Sequence, residues 1–281
     1  MFQKRVKKIY TYVVVGISFV FIITSCSKYE RALRSHDYKL KYKKAFEYYN
    51  KEDYVRAAAL FDQLAPAYKG TAFADSVHFF QAKSYYYQRD YLMASHMFQV
   101  FSRTYGASPF VEEADFMVPY CYYMMSPRPN LDQSNTVTSL ENFQLYLIRH
   151  PESEKVEEVT EIMNELKDKL VEKSFLSARL YFDLGDYKAS LVALGNSLVD
   201  YPDSKYREDI LFMVLKSSYL LAFNSIEAKK KERYQATVDE YYSFIAEYPE
   251  SKLKREADRY YRQSSKYLES GTEINETDDG L

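Results

Sequence analysis

The stretches YYNKEDYVRAAALFDQLAPAY (48–68), YYYQRDYLMASHMFQVFSRTY (85–105) and YFDLGDYKASLVALGNSLVDY (181–201) share one pattern. Each has an aspartate at its sixth position and a tyrosine directly after it, then a large apolar residue eight positions after the aspartate and a second tyrosine fifteen positions after it. An alanine stands three residues before the first tyrosine of each stretch, a spacing that places both on one helical face. The pattern therefore predicts a helix, a tight polar turn and a second helix in every repeat.

Further repeats are indicated by prolines that follow a second helix, namely Pro151, Pro202 and Pro249. Counting back from the first and the last of these predicts weaker second helices near 136–150 and 233–248. Five units then fill residues 38 to about 252, and 253–268 can form a closing helix, since stacked helix pairs need several units and a cap. We predict an all-α fold, a right-handed solenoid of about five units that resemble the tetratricopeptide repeat, with a C-terminal capping helix.

The spacing of the repeats is irregular. Asp53 and Asp90 are 37 residues apart, whereas Pro151 and Pro202 are 51 residues apart. Extra turns or loops are therefore expected in the later units. The clearest insertion is SPRPNLDQSN (126–135), where two prolines and several turn-forming residues separate the helices of the third unit.

The amino terminus has the pattern of a secretory signal peptide. Four basic residues precede an uncharged, mostly apolar run of 11 residues, 13–23, and small residues then lead to Cys26. At ~1.5 Å per residue, this run covers about half of a ~30 Å hydrocarbon layer, too little to span a membrane comfortably. The sequence Ile-Thr-Ser-Cys, ending at Cys26, resembles a bacterial lipobox, in which the cysteine becomes the first mature residue and carries a diacylglyceryl thioether and an N-acyl chain. A chance cysteine near an ordinary cleavage site is the alternative.

These features divide the chain into four predicted segments. Residues 1–25 are a lipoprotein signal peptide, 26–37 a lipidated linker, 38–268 the repeat domain, and 269–281 an acidic tail with little apolar content that is expected to be disordered. Removal of 25 residues with four positive charges changes the formal net charge from −2 to −6. That balance does not indicate nucleic-acid binding.

The sequence lacks the common signatures of an enzyme. It contains no G-x-x-x-x-G-K-[ST], G-x-G-x-x-G, G-x-S-x-G or H-E-x-x-H motif. Cys121, in the apolar segment PYCYYMM, is expected to be a buried small hydrophobe, and the acidic pairs at 112–113 and 157–158 are expected at helix starts, where they complement the helix dipole. We therefore predict that the protein is not an enzyme and that it has no cofactor and no metal site. The four histidines lack metal-ligand spacing: His36, His78, His96 and His150.

The order of lipobox, five repeats and third-repeat insertion resembles the BamD family of outer-membrane assembly lipoproteins. The residues that carry the resemblance are RPNLDQSNTVTSLENFQLYLIRHPES (128–153) and YPDSKYRED (201–209). It implies a non-enzymatic component of the outer-membrane β-barrel assembly machinery. Its partners would be the BamA-type barrel subunit, other assembly lipoproteins and unfolded outer-membrane β-barrel proteins.

The resemblance also implies a location. The protein would be held in the outer membrane by its lipid anchor and face the periplasm. The residues after the anchor, 27–30, lack the acidic cluster that some lipoproteins use for export to the cell surface. Two alternatives remain: a nutrient-capturing lipoprotein on a SusD-like helical scaffold, and a cell-wall enzyme with a helical-repeat scaffold.

Two binding sites are expected. Tetratricopeptide units usually present their first helices to the concave side, and an aromatic residue beside a lysine suits a strand that ends in an aromatic carboxylate. The expected peptide groove consists of Tyr42, Lys43, Phe46, Tyr49, Phe79, Lys83, Tyr86, Phe116, Tyr120 and Tyr123. The alternative is that much of this strip packs against neighbouring repeats. The family places the assembly partner at the carboxyl-terminal repeats, where the candidates are Arg255, Arg259 and Arg262, with a solvated charged face as the alternative for any one of them.

Overall fold

The structure, a computed structural model, describes residues 28–270, and every regular element in that range is an α-helix. A short helix, α1, covers 28–34. The signal peptide, Cys26 and the tail from 271 onward lie outside the described residues. The other helices are α2 (Tyr38–Asn50), α3 (Tyr54–Ala67), α4 (Ala74–Tyr87), α5 (Tyr91–Thr104), α6 (Val111–Met125), α7 (Ser134–Arg149), α8 (Val156–Asp183), α9 (Tyr187–Asp200), α10 (Arg207–Phe223), α11 (Glu227–Glu247) and α12 (Lys254–Ser270).

The described helices form two compact units. The first contains 28–126 and 137–159, and the second contains 127–136 and 160–270. Each unit consists of helix pairs in which a first helix packs on the second helix of its own repeat. The prediction of an all-α repeat fold is confirmed. No helix between residues 28 and 270 is long and apolar enough to cross a membrane.

The aspartate of each repeat begins the second helix as an N-cap. The carboxylate of Asp53 accepts a hydrogen bond from the backbone N–H of Arg56 at 3.3 Å, and that of Asp186 accepts one from Ala189 at 3.0 Å. Asp90 caps α5 in the same way. A side-chain oxygen satisfies a backbone donor that has no partner within the helix, which explains why an aspartate recurs at this position.

The small and large positions of the repeat interlock in the core. The alanines that precede the turn, Ala45, Ala82 and Ala178, are all completely buried. The large apolar residues eight positions after the aspartate, Phe61, Phe98 and Leu194, are also completely buried. A small side chain lets two helices approach closely while a large one fills the space beside it, so the spacing found in the sequence is a packing pattern.

The first unit begins with a helix that the sequence did not predict. Within the expected linker, α1 packs on the first repeat through Ala32, which is buried, and through Leu33. The ring of Tyr29 meets that of Tyr48 edge-on with centroids 5.6 Å apart. Residues 28–34 are therefore part of the first unit.

The irregular spacing is explained by longer helices and one loop. The helix α8 has 28 residues and α11 has 21, against 14 in α3, α4, α5 and α9. The predicted insertion forms the connection between α6 and α7. There the amide of Gln133 donates to the backbone oxygens of Arg128 at 2.9 Å and Leu131 at 3.1 Å, which holds the loop closed.

The closing helix α12 covers the last repeat of the second unit. Its Ala257 and Tyr260 are buried beside Leu215 and Phe244 of α10 and α11. The helix runs to Ser270, so the first two residues of the expected tail belong to it.

Candidate functional site: an aromatic face on the first helices

The first helices of the first unit carry a continuous row of aromatic rings. On α2, the ring centroids of Tyr42 and Phe46 are 4.8 Å apart. Phe46 then contacts Phe80 of α4 at 4.9 Å, and Phe80 contacts Tyr49 at 5.0 Å. Offset and edge-on ring contacts of this kind stabilise the packing beyond the area that they bury. The row therefore connects the first two repeats.

The row continues into the third repeat. Tyr49 lies 6.1 Å from Tyr87, which adjoins Tyr86 at 5.3 Å. Tyr86 lies 6.2 Å from Tyr120 of α6, and Tyr120 lies 5.6 Å from Tyr123. Since each ring touches the next, three helices present one surface. We call it the aromatic face: Tyr42, Phe46, Tyr49, Phe80, Tyr86, Tyr87, Tyr120 and Tyr123.

Members of the aromatic face are partly accessible, and Tyr87 is 43 % exposed. Burial raises the pKa of Tyr86 to about 12 and also raises the pKa of Tyr49. Both hydroxyls therefore stay protonated at physiological pH and can donate hydrogen bonds. The surface is uncharged and amphipathic, a combination that gives a large contact area at low cost in side-chain entropy.

Two residues expected in the groove are in the core instead. Phe79 is 1 % exposed because its ring stacks on Phe110 at 4.6 Å and packs against Phe101 at 5.6 Å. Phe116 is 5 % exposed and contacts Phe143 of α7 at 6.0 Å. Both rings therefore pack in the core, and the expectation that they contact a peptide does not fit this structure.

The structure adds two rings that the sequence did not single out, Phe80 and Tyr87. In α4 the aromatic residues stand next to one another, at 79–80 and 85–87, so the pattern did not show which member of each run faces the core. Neighbouring helical residues are about 100° apart around the axis. An error of one position therefore exchanges a core ring for a surface ring.

The two lysines expected beside the rings have different surroundings. Lys43 is exposed on α2. The ammonium of Lys83 lies 2.9 Å from the carboxylate of Glu113, and its side chain is only 19 % exposed. Lys83 already has an anionic partner, so the expectation that it holds a chain-terminal carboxylate does not fit this structure. Lys43 is the better candidate for that role.

A separate depression of about 310 Å³ in the first unit is lined by α5, α6 and α7. One polar group of its wall, the carboxylate of Asp115, has two partners. Asp115 accepts from Arg149 at 3.3 Å and lies 2.9 Å from the Nε2 atom of His150. The sequence did not predict this depression.

In the second unit, the expected partner residues lie along one face of α12. Arg255, Arg259 and Arg262 are all exposed, and their spacing of four and three residues places them on the same side of the helix. Lys266, also exposed, continues the row by another four residues. Arg259 lies 3.7 Å from Glu256 of the preceding turn. These four residues define the α12 basic face.

The sequence between residues 35 and 234 matches the YfiO family, whose members are described as outer membrane lipoproteins. The matched region contains both segments on which the sequence resemblance was based and most of the repeats. The chain belongs to the YfiO family. This finding confirms the resemblance to the BamD family. The match ends before α12, so the α12 basic face lies beyond it.

One similar solved structure is the TPR2AB domain of yeast Sti1 in its complex with pHSP90. It shares 13 % sequence identity, with 81 % of this chain and 98 % of that chain covered, and the TM-score is 0.38. At that score the likeness supports no conclusion about binding. No curated protein matches this YfiO-family sequence.

In this YfiO-family protein, His78 and Cys121 have contacts that are explained by folding alone. The Nδ1 atom of His78 lies 2.7 Å from the backbone oxygen of Ala74. Cys121 is completely buried, and burial raises the pKa of its thiol to about 12, as expected of a small core residue. Within residues 28–270, no group of three or more metal-binding side chains comes together.

Proposed function

We propose that this protein is a non-enzymatic component of the outer-membrane β-barrel assembly machinery, with the aromatic face as the surface that receives unfolded outer-membrane proteins. The continuous row of partly exposed rings across three repeats is the observation that supports this role. Strands of outer-membrane barrels carry alternating apolar residues and aromatic residues at the membrane interfaces. The side chains of such a strand can pack between the tyrosines of the aromatic face. The tyrosine hydroxyls can then donate hydrogen bonds to the backbone oxygens of the strand.

Lys43 gives the proposed binding mode a direction. Lys43 is exposed on α2 and directly follows Tyr42 of the aromatic face, so we expect its ammonium to pair with a carboxylate while the aromatic side chains of the peptide lie along α4 and α6. Charge-assisted contacts are stronger than neutral ones. We therefore expect a peptide that ends in an aromatic residue with a free carboxylate to bind better than its amidated form.

The proposed substrate site can be tested by crosslinking to a peptide from the carboxyl terminus of a barrel protein. The variant Lys43→Glu with Tyr87→Ser should lose most of the crosslinking, because it removes one ring and reverses one charge on the aromatic face. The matched control is Lys188→Glu with Tyr181→Ser, since Lys188 is also exposed and Tyr181 is 44 % exposed against 43 % for Tyr87. Equal crosslinking by both variants would place the substrate elsewhere.

The proposed assembly partner is a BamA-type barrel subunit, bound through the α12 basic face, and other assembly lipoproteins are part of the same complex. An acidic partner surface would associate faster with such a row of cations. Purification of the protein from detergent-solubilised membranes should recover a barrel protein with N-terminal periplasmic repeats. Recovery of a nutrient transporter instead would contradict the proposal.

We further propose that Cys26 carries the lipid that holds the protein in the outer membrane, facing the periplasm. A thioether-linked diacylglyceryl group and an N-acyl chain together give firm anchoring, whereas a single chain binds only marginally. Replacing Cys26 with serine should abolish incorporation of labelled palmitate. Persistent labelling of that variant would disprove the anchor.

A further inference from the structure

The amino-terminal part of the described chain has a charge opposite to that of the remainder. Residues 28–44 contain seven Lys and Arg against two Asp and Glu, a formal charge of +5. Residues 45–281 contain 27 basic and 38 acidic residues, a formal charge of −11. Such asymmetry indicates a surface that meets an anionic partner.

The helix α1 presents these charges outward because its other side is held on the first repeat. Tyr29, Ala32 and Leu33 face the core of the first unit. Lys28, Arg31 and Arg34 recur at intervals of three residues and are all exposed. They therefore lie on the side of α1 that faces away from the protein.

The exposed surface continues through the connection into α2, where every residue from His36 to Leu40 is exposed. Two of these residues are large and apolar, Tyr38 at 46 % and Leu40 at 37 % exposure, and Lys39 lies between them. We define the N-terminal patch as Lys28, Arg31, Arg34, Tyr38, Lys39 and Leu40.

The acidic residues in this segment already have partners. Glu30 lies 3.4 Å from Arg34. The carboxylate of Asp37 accepts hydrogen bonds from the backbone N–H groups of Lys39 and Leu40, both at 3.0 Å, as the N-cap of α2. Neither carboxylate neutralises Lys28, Arg31 or Lys39.

The N-terminal patch lies close to the proposed lipid anchor. Only Ser27 separates Lys28 from Cys26 along the chain, which limits the distance between the Cα atoms of Cys26 and Lys28 to about 7 Å. An anchored cysteine therefore brings α1 to the lipid headgroups. Basic residues beside an acyl anchor are a second membrane signal, and aromatic side chains are suited to the headgroup level.

We propose that the N-terminal patch binds the anionic headgroups of the phospholipid leaflet that holds the anchor, with Tyr38 and Leu40 at headgroup depth. This inference rests on the proposed lipidation of Cys26. It goes beyond the anchor, because it fixes the first repeat against the membrane surface through a folded helix that contacts the lipid. A lipid on a flexible tether would leave α1 and the start of α2 in water.

The absence of tryptophan from the sequence makes a direct test possible. Tyr38→Trp places a single reporter in the N-terminal patch, and Tyr181→Trp places one at a site of similar exposure, 44 %, in the second unit. The lipidated full chain is incorporated into phosphatidylglycerol vesicles that contain a phospholipid spin-labelled on its headgroup. We expect quenching at position 38 to exceed that at position 181 by about twofold or more. Equal quenching at both positions would overturn the proposal.

Charge reversal distinguishes headgroup binding from simple proximity to the anchor. In the Tyr38→Trp protein, the changes Lys28→Glu, Arg31→Glu and Lys39→Glu should reduce quenching toward the level of position 181. The changes Lys188→Glu, Lys229→Glu and Lys231→Glu, which alter the total charge equally at exposed lysines of the second unit, should leave it unchanged. Lys43 is left intact so that the proposed peptide site is not altered.

Lipid composition and salt provide the remaining controls. Quenching at position 38 should fall when phosphatidylcholine replaces phosphatidylglycerol and when salt is raised, because screening weakens exposed charge interactions. Quenching that is indifferent to charge reversal, lipid and salt together would contradict the inference. Palmitate labelling and recovery of the barrel subunit test the anchor and the proposed function separately.

Discussion

Cys121 lies completely buried in α6, and burial raises the pKa of its thiol to about 12. The thiolate is the reactive form, so the folded protein should not react with Ellman's reagent at pH 8. Unfolding in denaturant should release one thiol per chain, and Cys121→Ser should release none. Rapid reaction of Cys121 in the folded protein would contradict its burial, whereas a rapid reaction that survives Cys121→Ser would point to an unmodified Cys26.

The thiol of Cys121 also makes the free energy of unfolding depend on pH. Its folded pKa is above the value of about 8.5 for an unfolded cysteine, so the folded state keeps a proton that the unfolded state loses as pH rises. This contribution is fully present below about pH 8 and decreases at higher pH. Cys121→Ser should therefore flatten the fall in the free energy of unfolding between about pH 8 and 10.

At the scale of the element, the repeat turns share a left-handed residue just before the capping aspartate. This residue is Glu52 with φ 61°, Arg89 with φ 64° and Gly185 with φ 78°. A left-handed conformation costs a residue with a side chain roughly 1–2 kcal/mol, more than the extra entropy that glycine loses on folding. We expect Arg89→Gly to stabilise the protein by a few tenths to about 1 kcal/mol.

The converse change, Gly185→Ala, should destabilise the protein by about 1 kcal/mol, although the position has open space for a methyl group. Gly195→Ala is the control, because Gly195 lies within α9 with open space around it and has no positive φ. That change should stabilise by up to about 1 kcal/mol. Urea unfolding followed by circular dichroism measures all three variants. If Gly185→Ala and Gly195→Ala changed the free energy of unfolding in the same direction, backbone strain at Gly185 would not be the cause of its effect.

The α12 basic face yields a prediction about association. Reversing two of its exposed charges, Arg255→Glu and Arg262→Glu, places like charges against an acidic partner, and such contacts cost several kcal/mol across an interface. Recovery of the barrel subunit should fall about tenfold or more at moderate salt. Lys69→Glu with Lys188→Glu, at two other exposed lysines, should have no such effect. Unchanged recovery after the α12 substitutions would move the partner site elsewhere.

At the scale of the whole molecule, the two units have separate cores. Phe61 belongs to the core of the first unit and Phe244 to that of the second, and both are completely buried. Phenylalanine-to-alanine changes in a core typically cost about 3–5 kcal/mol. In repeat folds this loss acts mainly on neighbouring elements. We expect Phe61→Ala to reduce hydrogen-exchange protection of α2 to α5, and Phe244→Ala that of α10 to α12.

The result that would contradict this prediction is an equal loss of protection throughout both units for each variant. That outcome would show that the chain unfolds as one cooperative body. The two substitutions form a matched pair, since the same side chain is removed from a completely buried position in each unit.

Much of the fold could be predicted from the sequence because the same spacing of packing residues recurs in several repeats. The spacing from Asp53 to Phe61 recurs in the other repeats, so the cap, the close approach and the interlocking residue could be recognised together. The insertion was equally clear, since Pro127 and Pro129 stand close together among several turn-forming residues. By contrast, α1 was missed because seven residues are too few to establish a period.

The aromatic face was predicted only in outline. The sequence placed aromatic residues on the first helices, but adjacent rings such as Phe79 and Phe80 cannot be assigned to core or surface when the crossing of the neighbouring helices is unknown. The pairing of Lys83 with Glu113 joins residues that are 30 positions apart. A pattern within a short stretch of sequence cannot predict a contact between residues so far apart.

The sequence by itself determined the helical repeat, its caps and its interlocking positions, because these depend on spacings within about forty residues and on the chemistry of single side chains. It also determined the family, through the order of its segments. The tertiary structure decided which rings remain accessible, which lysine has a partner and where α1 rests. Those properties depend on the distance and angle between packed helices, which are set by all the side chains between them.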